Sequence, residues 1–64
     1  MSRLSEIVGS SEVGVDDAIR TAVRKASETV RNIEWFETSS VRGQVVDGEV
    51  AHVQVTLKIG FRVE

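Results

Sequence analysis

The dipeptide Asp47-Gly48 constrains the fold of this chain more than any other feature of the sequence. Both central residues of a type I′ turn need positive φ, which Gly and Asp tolerate, so this pair between two apolar-rich segments indicates a β-hairpin. Val46 should then face Glu49. The two arms are predicted to run from about Glu34 to Val46 and from Glu49 to Glu64.

Counting outward from the turn predicts which residues of the hairpin are paired. Trp35 should face Gly60, Glu37 should face Lys58, and Val41 should face Gln54. Because strand side chains alternate between the two faces, Trp35 and Gln54 are predicted on one mostly polar face. The opposite face is richer in aliphatic residues and should meet a core; it carries Phe36, Thr38, Ser40, Arg42, Val53, Val55, Leu57 and Ile59. A β-bulge in the first arm, around 38–40, would shift this register by one residue.

The first half of the chain predicts one strand and one helix. Leu4 to Val8 reads as a short strand that Gly9-Ser10-Ser11 ends. Apolar residues then recur at spacings of three and four, which indicates a helix that begins near Gly14 and stops by Asn32. The apolar stripe comprises Val15, Ala18, Ile19, Ala22, Val23, Ala26 and Val30. The predicted order is therefore strand, helix, strand, strand.

The length of the chain predicts a single domain over residues 1–64 that needs partner surface. A chain of 64 residues buries only roughly 60% of its unfolded surface, which leaves it marginally stable. The sequence has no cysteines for a disulfide and no cluster of metal ligands that could stabilise the fold. A helix of about 16 residues spans roughly 24 Å, which is less than the hairpin arms. We therefore expect a closed, symmetric assembly of identical chains to cover the remaining sheet.

Charge and the N-terminal residues argue against several classes of protein. A net charge of −2, with positive and negative residues interspersed, does not indicate binding to nucleic acid or to an anionic membrane surface. The first residues contain only the short apolar pair Ile7-Val8, which predicts neither a signal peptide nor a membrane span. The lack of cysteine fits a reducing cytoplasm.

Trp35 is the candidate binding residue that the residues themselves indicate. A large aromatic side chain on a polar sheet face is expected to stack on a flat ligand or a partner, although ordinary packing is the commoner role of a tryptophan in a strand. A catalytic or metal-binding role is not expected for His52, because neither a cysteine nor a second histidine accompanies it. Glu37 and Lys58 are interpreted as a structural cross-strand pair.

Several segments of the chain resemble the dodecins, a family of small flavin-binding proteins. The resemblance covers nearly the whole chain and is most specific in the Trp-Phe-Glu, Arg-Gly and Gln-Val-Thr-Leu-Lys blocks at their mutual spacing. The matching segments are Glu6-Ile7-Val8-Gly9-Ser10-Ser11, Asp17-Ala18-Ile19, Ile33-Glu34-Trp35-Phe36-Glu37, Val41-Arg42-Gly43 and Gln54-Val55-Thr56-Leu57-Lys58-Ile59-Gly60-Phe61-Arg62.

The resemblance implies an α+β fold and a composite flavin site. The protomer would be β-α-β-β, with a three-stranded antiparallel sheet wrapped around one helix, and twelve protomers would form a hollow shell. Flavins would bind as stacked pairs at subunit interfaces. Trp35 would stack on the isoalloxazine ring, Gln54 would hydrogen-bond its polar edge, and Arg42 would lie beside the pocket.

The same resemblance implies a non-enzymatic flavin store or buffer in the cytoplasm. Stacking against an easily oxidised indole should also quench the excited flavin, which favours storage and photoprotection. Flavin mononucleotide (FMN) is the expected ligand, with riboflavin or FAD as alternatives. Coenzyme A, which some bacterial members bind, is a weaker alternative because aromatic and basic residues that often precede the Glu6 segment are missing. The alternative functions are a flavin-dependent oxidoreductase, and a dodecin-like shell that binds another ligand or a metal ion.

Overall fold

The computed structural model describes residues 2–63 and contains four elements in the predicted order. They are β1 (Ser2–Ser11), α1 (Val15–Ala26), β2 (Ile33–Val46) and β3 (Glu49–Arg62). The strands form one antiparallel sheet in the order β1-β3-β2. The prediction of a β-α-β-β protomer with a three-stranded antiparallel sheet and one helix is therefore confirmed.

The hairpin turn has the predicted conformation. Asp47 and Gly48 have φ angles of 53° and 80°, the positive values that a two-residue turn of this kind requires. Val46 pairs with Glu49, and the arms extend over 14 residues each. The predicted end of the second arm at Glu64 lies outside the described residues.

The core lies between α1 and one face of the sheet, which we call the inner face. Val55, Leu57 and Ile59 of the central strand are 0% exposed. Val55 and Leu57 pack with Ala18 and Ala22 of the helix. The partly buried residues around this cluster come from β1, α1 and β3, and are Ile7, Ile19, Val23 and Val53. The inner face of β3 was predicted correctly.

Gly9 allows α1 to approach β1 closely. A Cβ at this position would lie 2.6 Å from the Ala22 Cβ and 2.8 Å from the Ala18 carbonyl oxygen. Gly9 therefore does not end the strand as predicted. β1 continues to Ser11, which pairs with Val53.

The helix is shorter than its apolar pattern predicted. It ends at Ala26, although the apolar stripe continues to Val30. The Ser27 hydroxyl donates to the Val23 carbonyl over 2.9 Å, and the chain then tightens into turns. Asn32, predicted to stop the helix, has φ of 61° and leads the chain into β2, because asparagine tolerates left-handed backbone better than most residues.

The sheet is much longer than the helix that covers it. The molecule measures 48 × 19 × 13 Å, whereas twelve helical residues span about 18 Å. The inner face of the hairpin near its turn therefore carries exposed valines, which we call the valine strip: Val41, Val45 and Val50. The prediction that α1 covers only part of the hairpin is confirmed.

Candidate functional site on the outer face

The candidate site lies on the sheet face turned away from α1, which we call the outer face. Its residues follow from the pairing of the three strands and the alternation of side chains along each strand. They are Leu4, Glu6, Val8 and Ser10 of β1, then His52, Gln54, Thr56, Lys58 and Gly60 of β3, then Trp35, Glu37, Ser40, Arg42 and Gln44 of β2. All three predicted site residues, Trp35, Gln54 and Arg42, are on this face.

At one end of the outer face, the Trp35 side chain covers Gly60. The two residues are paired as predicted, and a Cβ at position 60 would overlap the indole atoms Cε2, Nε1 and Cζ2. Gly60 is buried beneath the ring, while Trp35 remains 46% exposed. The glycine therefore lets the indole lie against the sheet, with its far side open to a ligand or partner.

The middle of the hairpin differs from the predicted register by one residue. The ladder shifts between Thr38 and Ser40 and shifts back between Gln44 and Val45. The first shift leaves Ser39 as an extra residue, whose hydroxyl donates to the Thr56 carbonyl over 3.1 Å. The second leaves Ala51 as an extra residue on the other arm, so the two bulges compensate and the turn keeps its predicted pairing.

This shift corrects the predicted position of Arg42. Gln54 faces Arg42, not Val41, and Val41 faces the buried Val55 instead. Arg42 and Ser40, predicted on the core side, therefore lie on the outer face. The physical reason is that a one-residue slip moves every side chain of the slipped segment to the opposite face.

At the other end of the outer face, Arg42 and Gln54 line one depression. The depression has a volume of about 350 Å³, and its walls also include Gly43, Gln44 and His52. Patterning alone placed His52 at an ordinary surface position. Its position on the same strand face as Gln54 was predicted, and its pairing with Gln44, one row beyond the Arg42–Gln54 pair, places it in this depression.

The two ends are too far apart for one flavin to reach within a single chain. Gly60, beneath Trp35, and Gln54 are six residues apart along β3, which is about 20 Å at the rise of a strand. Between them, Lys58 is flanked by Glu6 on β1 and Glu37 on β2. The predicted pairing of Glu37 with Lys58 is confirmed.

The two ends offer complementary chemistry for a flat aromatic ligand with a polar edge. The indole of Trp35 provides a stacking surface. Gln54 has both a donor and an acceptor, and Arg42 provides donors in a planar array. Within residues 2–63 there is no group of three or more His, Cys, Asp or Glu side chains arranged to hold a metal ion. In the same range, α1 is neither long nor apolar enough to cross a membrane.

Comparisons with known proteins identify the family of this chain. The Dodecin family model matches residues 1–64. The Dodecin of Thermus thermophilus is 42% identical over 59 residues, which cover 92% of this chain and 86% of that protein. This chain therefore belongs to the dodecin family.

Solved dodecin structures have the same fold. The dodecin from Streptomyces davaonensis aligns with a TM-score of 0.94 at 52% identity, covering 100% of this chain and 94% of that chain. The dodecin from Streptomyces coelicolor aligns with a TM-score of 0.93 at 56% identity, covering 100% of this chain and 91% of that chain.

Proposed function

We propose that this dodecin is a non-enzymatic cytoplasmic protein that stores and buffers flavin, with FMN as its ligand. The observation that carries the proposal is the half-exposed indole of Trp35 above Gly60. An aromatic ring held flat against a sheet with one side free is suited to stacking on isoalloxazine. An electron-rich indole in contact with the flavin would also quench its excited state.

The flavin site is proposed to form between chains. Trp35 stacks on the ring of one flavin, and Gln54 of another chain bonds the polar edge of the ring, with Arg42 beside it. The separation of about 20 Å between Trp35 and Gln54 along the sheet supports a site composed from several chains. Stacked flavin pairs then leave no open ring face for a substrate, which supports storage over turnover.

The assembly is proposed to be a hollow homododecamer, without nucleic acid or membrane as a partner. The valine strip supports self-association, because Val41, Val45 and Val50 are between 52% and 67% exposed in the single chain. Both outer strands of the sheet, β1 and β2, also have a free edge in the single chain. Another copy of the chain would cover this apolar surface and those edges.

The test is a fluorescence titration of the ligand-free protein with FMN, combined with a mass measurement in solution. We expect saturable quenching at about one flavin per chain and a mass of twelve chains. Steady oxidation of a nicotinamide cofactor by the loaded protein would favour the oxidoreductase alternative. A shell that quenches no flavin would favour a different ligand.

A further inference from the structure

A groove lies between α1 and β2 on the inner face of the sheet. The helix packs against β1 and β3 and leaves the inner side of β2 open beside it. This groove, which we call the helix groove, has a volume of about 390 Å³. Three apolar and three charged side chains line it, and they are Ile19, Val23 and Phe36, then Asp16, Arg20 and Arg24.

The opposite end of the hairpin is an apolar and acidic surface that its own helix does not cover. This surface, which we call the hairpin tip, comprises residues 45–50. It holds two residues of the valine strip, Val45 and Val50, which are 67% and 66% exposed. Asp47 and Glu49 add two carboxylates, and the tip contains no basic residue. Exposed apolar side chains grouped at one end of a small chain indicate an interaction surface.

The charges of the helix groove and the hairpin tip are opposite. Within residues 2–63, the one ion pair joins the Arg20 Nε to the Asp16 Oδ2 over 2.9 Å. In the same range Arg24 therefore has no carboxylate partner, and its guanidinium donates to the Thr21 hydroxyl over 3.4 Å. The groove thus has one positive charge in excess, while the tip has two negative charges. Opposite charges of this kind orient two apolar surfaces toward each other.

A chain cannot place its hairpin tip in its own helix groove. Phe36 in the groove and Val45 in the tip are nine residues apart along β2, which is about 27–30 Å at the rise of a strand. The tip can therefore enter only the groove of another copy. Because the two surfaces are separate patches, such a contact is heterologous, and its repetition closes a ring or extends a filament.

We propose that the hairpin tip of one chain docks in the helix groove of the next chain and that this contact closes a ring. Val45 and Val50 pack on the apolar lining of the groove, of which Phe36 is the most exposed residue at 48%. The carboxylates of the tip lie beside the arginines of α1. The inference rests on the proposed closed assembly and specifies which surface of the neighbouring chain covers the end of the valine strip.

The test exchanges charges across the proposed contact. Val45→Lys places an ammonium group on the tip, where it meets the arginines of the groove. Phe36→Glu places a carboxylate in the groove, where it meets the acidic tip. Each single variant therefore buries a charge without a partner, which is costly. In the double variant, the introduced lysine of one chain pairs with the introduced glutamate of the next.

The mass of each variant is measured by light scattering over a dilution series, and circular dichroism verifies the fold. Both single variants should need a concentration at least about tenfold higher than the parent protein to assemble. The double variant should recover most of this loss, because the two substitutions are coupled through one contact. Recovery separates a lost contact from a lost fold, since a second charge does not refold a chain. Val13→Lys is the control, because Val13 is 86% exposed and lies outside both surfaces; it should assemble as the parent does.

Two results would overturn this contact. In the first, either single variant assembles as the parent does. In the second, the double variant assembles no better than the single variants, which would show that the two surfaces do not meet. A parent protein that stays a single chain would contradict both the contact and the proposed assembly. A parent that assembles but quenches no FMN would contradict the proposed flavin function alone, and the masses of the variants would still decide the contact.

Discussion

The Trp35 indole covers Gly60 across the β2–β3 ladder so closely that any side chain at position 60 would overlap it. This contact has two consequences. It buries Gly60 and holds the indole against the sheet, while Trp35 keeps 46% of its surface exposed. The glycine therefore decides the position of the aromatic surface on which the proposed flavin site depends.

Gly60→Ala should displace the indole and weaken flavin binding, because the added methyl group occupies the position of the ring. Relief of the overlap is expected to cost about 1–3 kcal/mol of folding stability. Tryptophan emission should change in the ligand-free protein, and the FMN titration should give a higher dissociation constant. Gly14→Ala is the control, since a Cβ there meets no atom within 4 Å. Parent-like emission and affinity in Gly60→Ala would contradict this account of the contact.

Trp35→Ala should lower FMN affinity by at least about tenfold, since it removes the stacking surface. The mass of the assembly should be unchanged, because this half-exposed residue is expected to touch ligand more than core. Phe36→Leu is a matched control, because Phe36 is the neighbouring aromatic residue and lies on the inner face. It should leave quenching close to that of the parent. Full quenching by Trp35→Ala, or its dissociation into single chains, would argue against the proposed role.

Gln54→Ala should weaken FMN binding by about threefold to tenfold, the value of one or two hydrogen bonds at a ring edge. It should also reduce discrimination between flavin and analogues altered at the polar edge of the ring. Affinities measured for a set of such analogues provide the readout. Thr56→Val, on the same strand and face, is the control. An unchanged pattern across the analogues in Gln54→Ala would remove this residue from the site.

Ser11→Ala should destabilise the fold by about 1–3 kcal/mol, because two backbone N–H groups at the start of α1 and the Asp17 carboxylate lose a buried hydroxyl partner. The Ser11 hydroxyl accepts from the Val13 N–H at 2.9 Å and the Gly14 N–H at 3.3 Å, and donates to Asp17 at 2.6 Å. Urea unfolding at fixed protein concentration is the measurement, since assembly contributes to stability. Ser10→Ala, at an exposed neighbouring position, should change stability by less than about 0.5 kcal/mol. Equal stability of the two variants would contradict this role of Ser11.

Local chemistry was enough to predict the elements and part of the candidate site. The turn at Asp47-Gly48 depends on the φ preferences of two residues, and it set the correct pairing of Trp35 with Gly60. Helical spacing located α1, and Gly14 precedes its first residue as predicted. The end of α1 was wrong because apolar periodicity does not detect the change to tighter backbone bonds after Ala26, where the Glu28 N–H donates to the Lys25 carbonyl and the Thr29 N–H donates to the Ala26 carbonyl.

The sequence by itself determined the order of the elements, the hairpin, and the buried face of β3, because these follow from turn preferences and from the alternation of apolar residues. Only the tertiary structure decided which face Arg42 occupies. The bulges at Ser39 and Ala51 slip the middle of the ladder by one residue, and in that register Val41 lies on the inner face. Arg42 thereby joins Gln54 and His52, which were already predicted to share a face. A slip of this kind depends on how both arms pack and pair at once, so no local pattern in either arm could specify it.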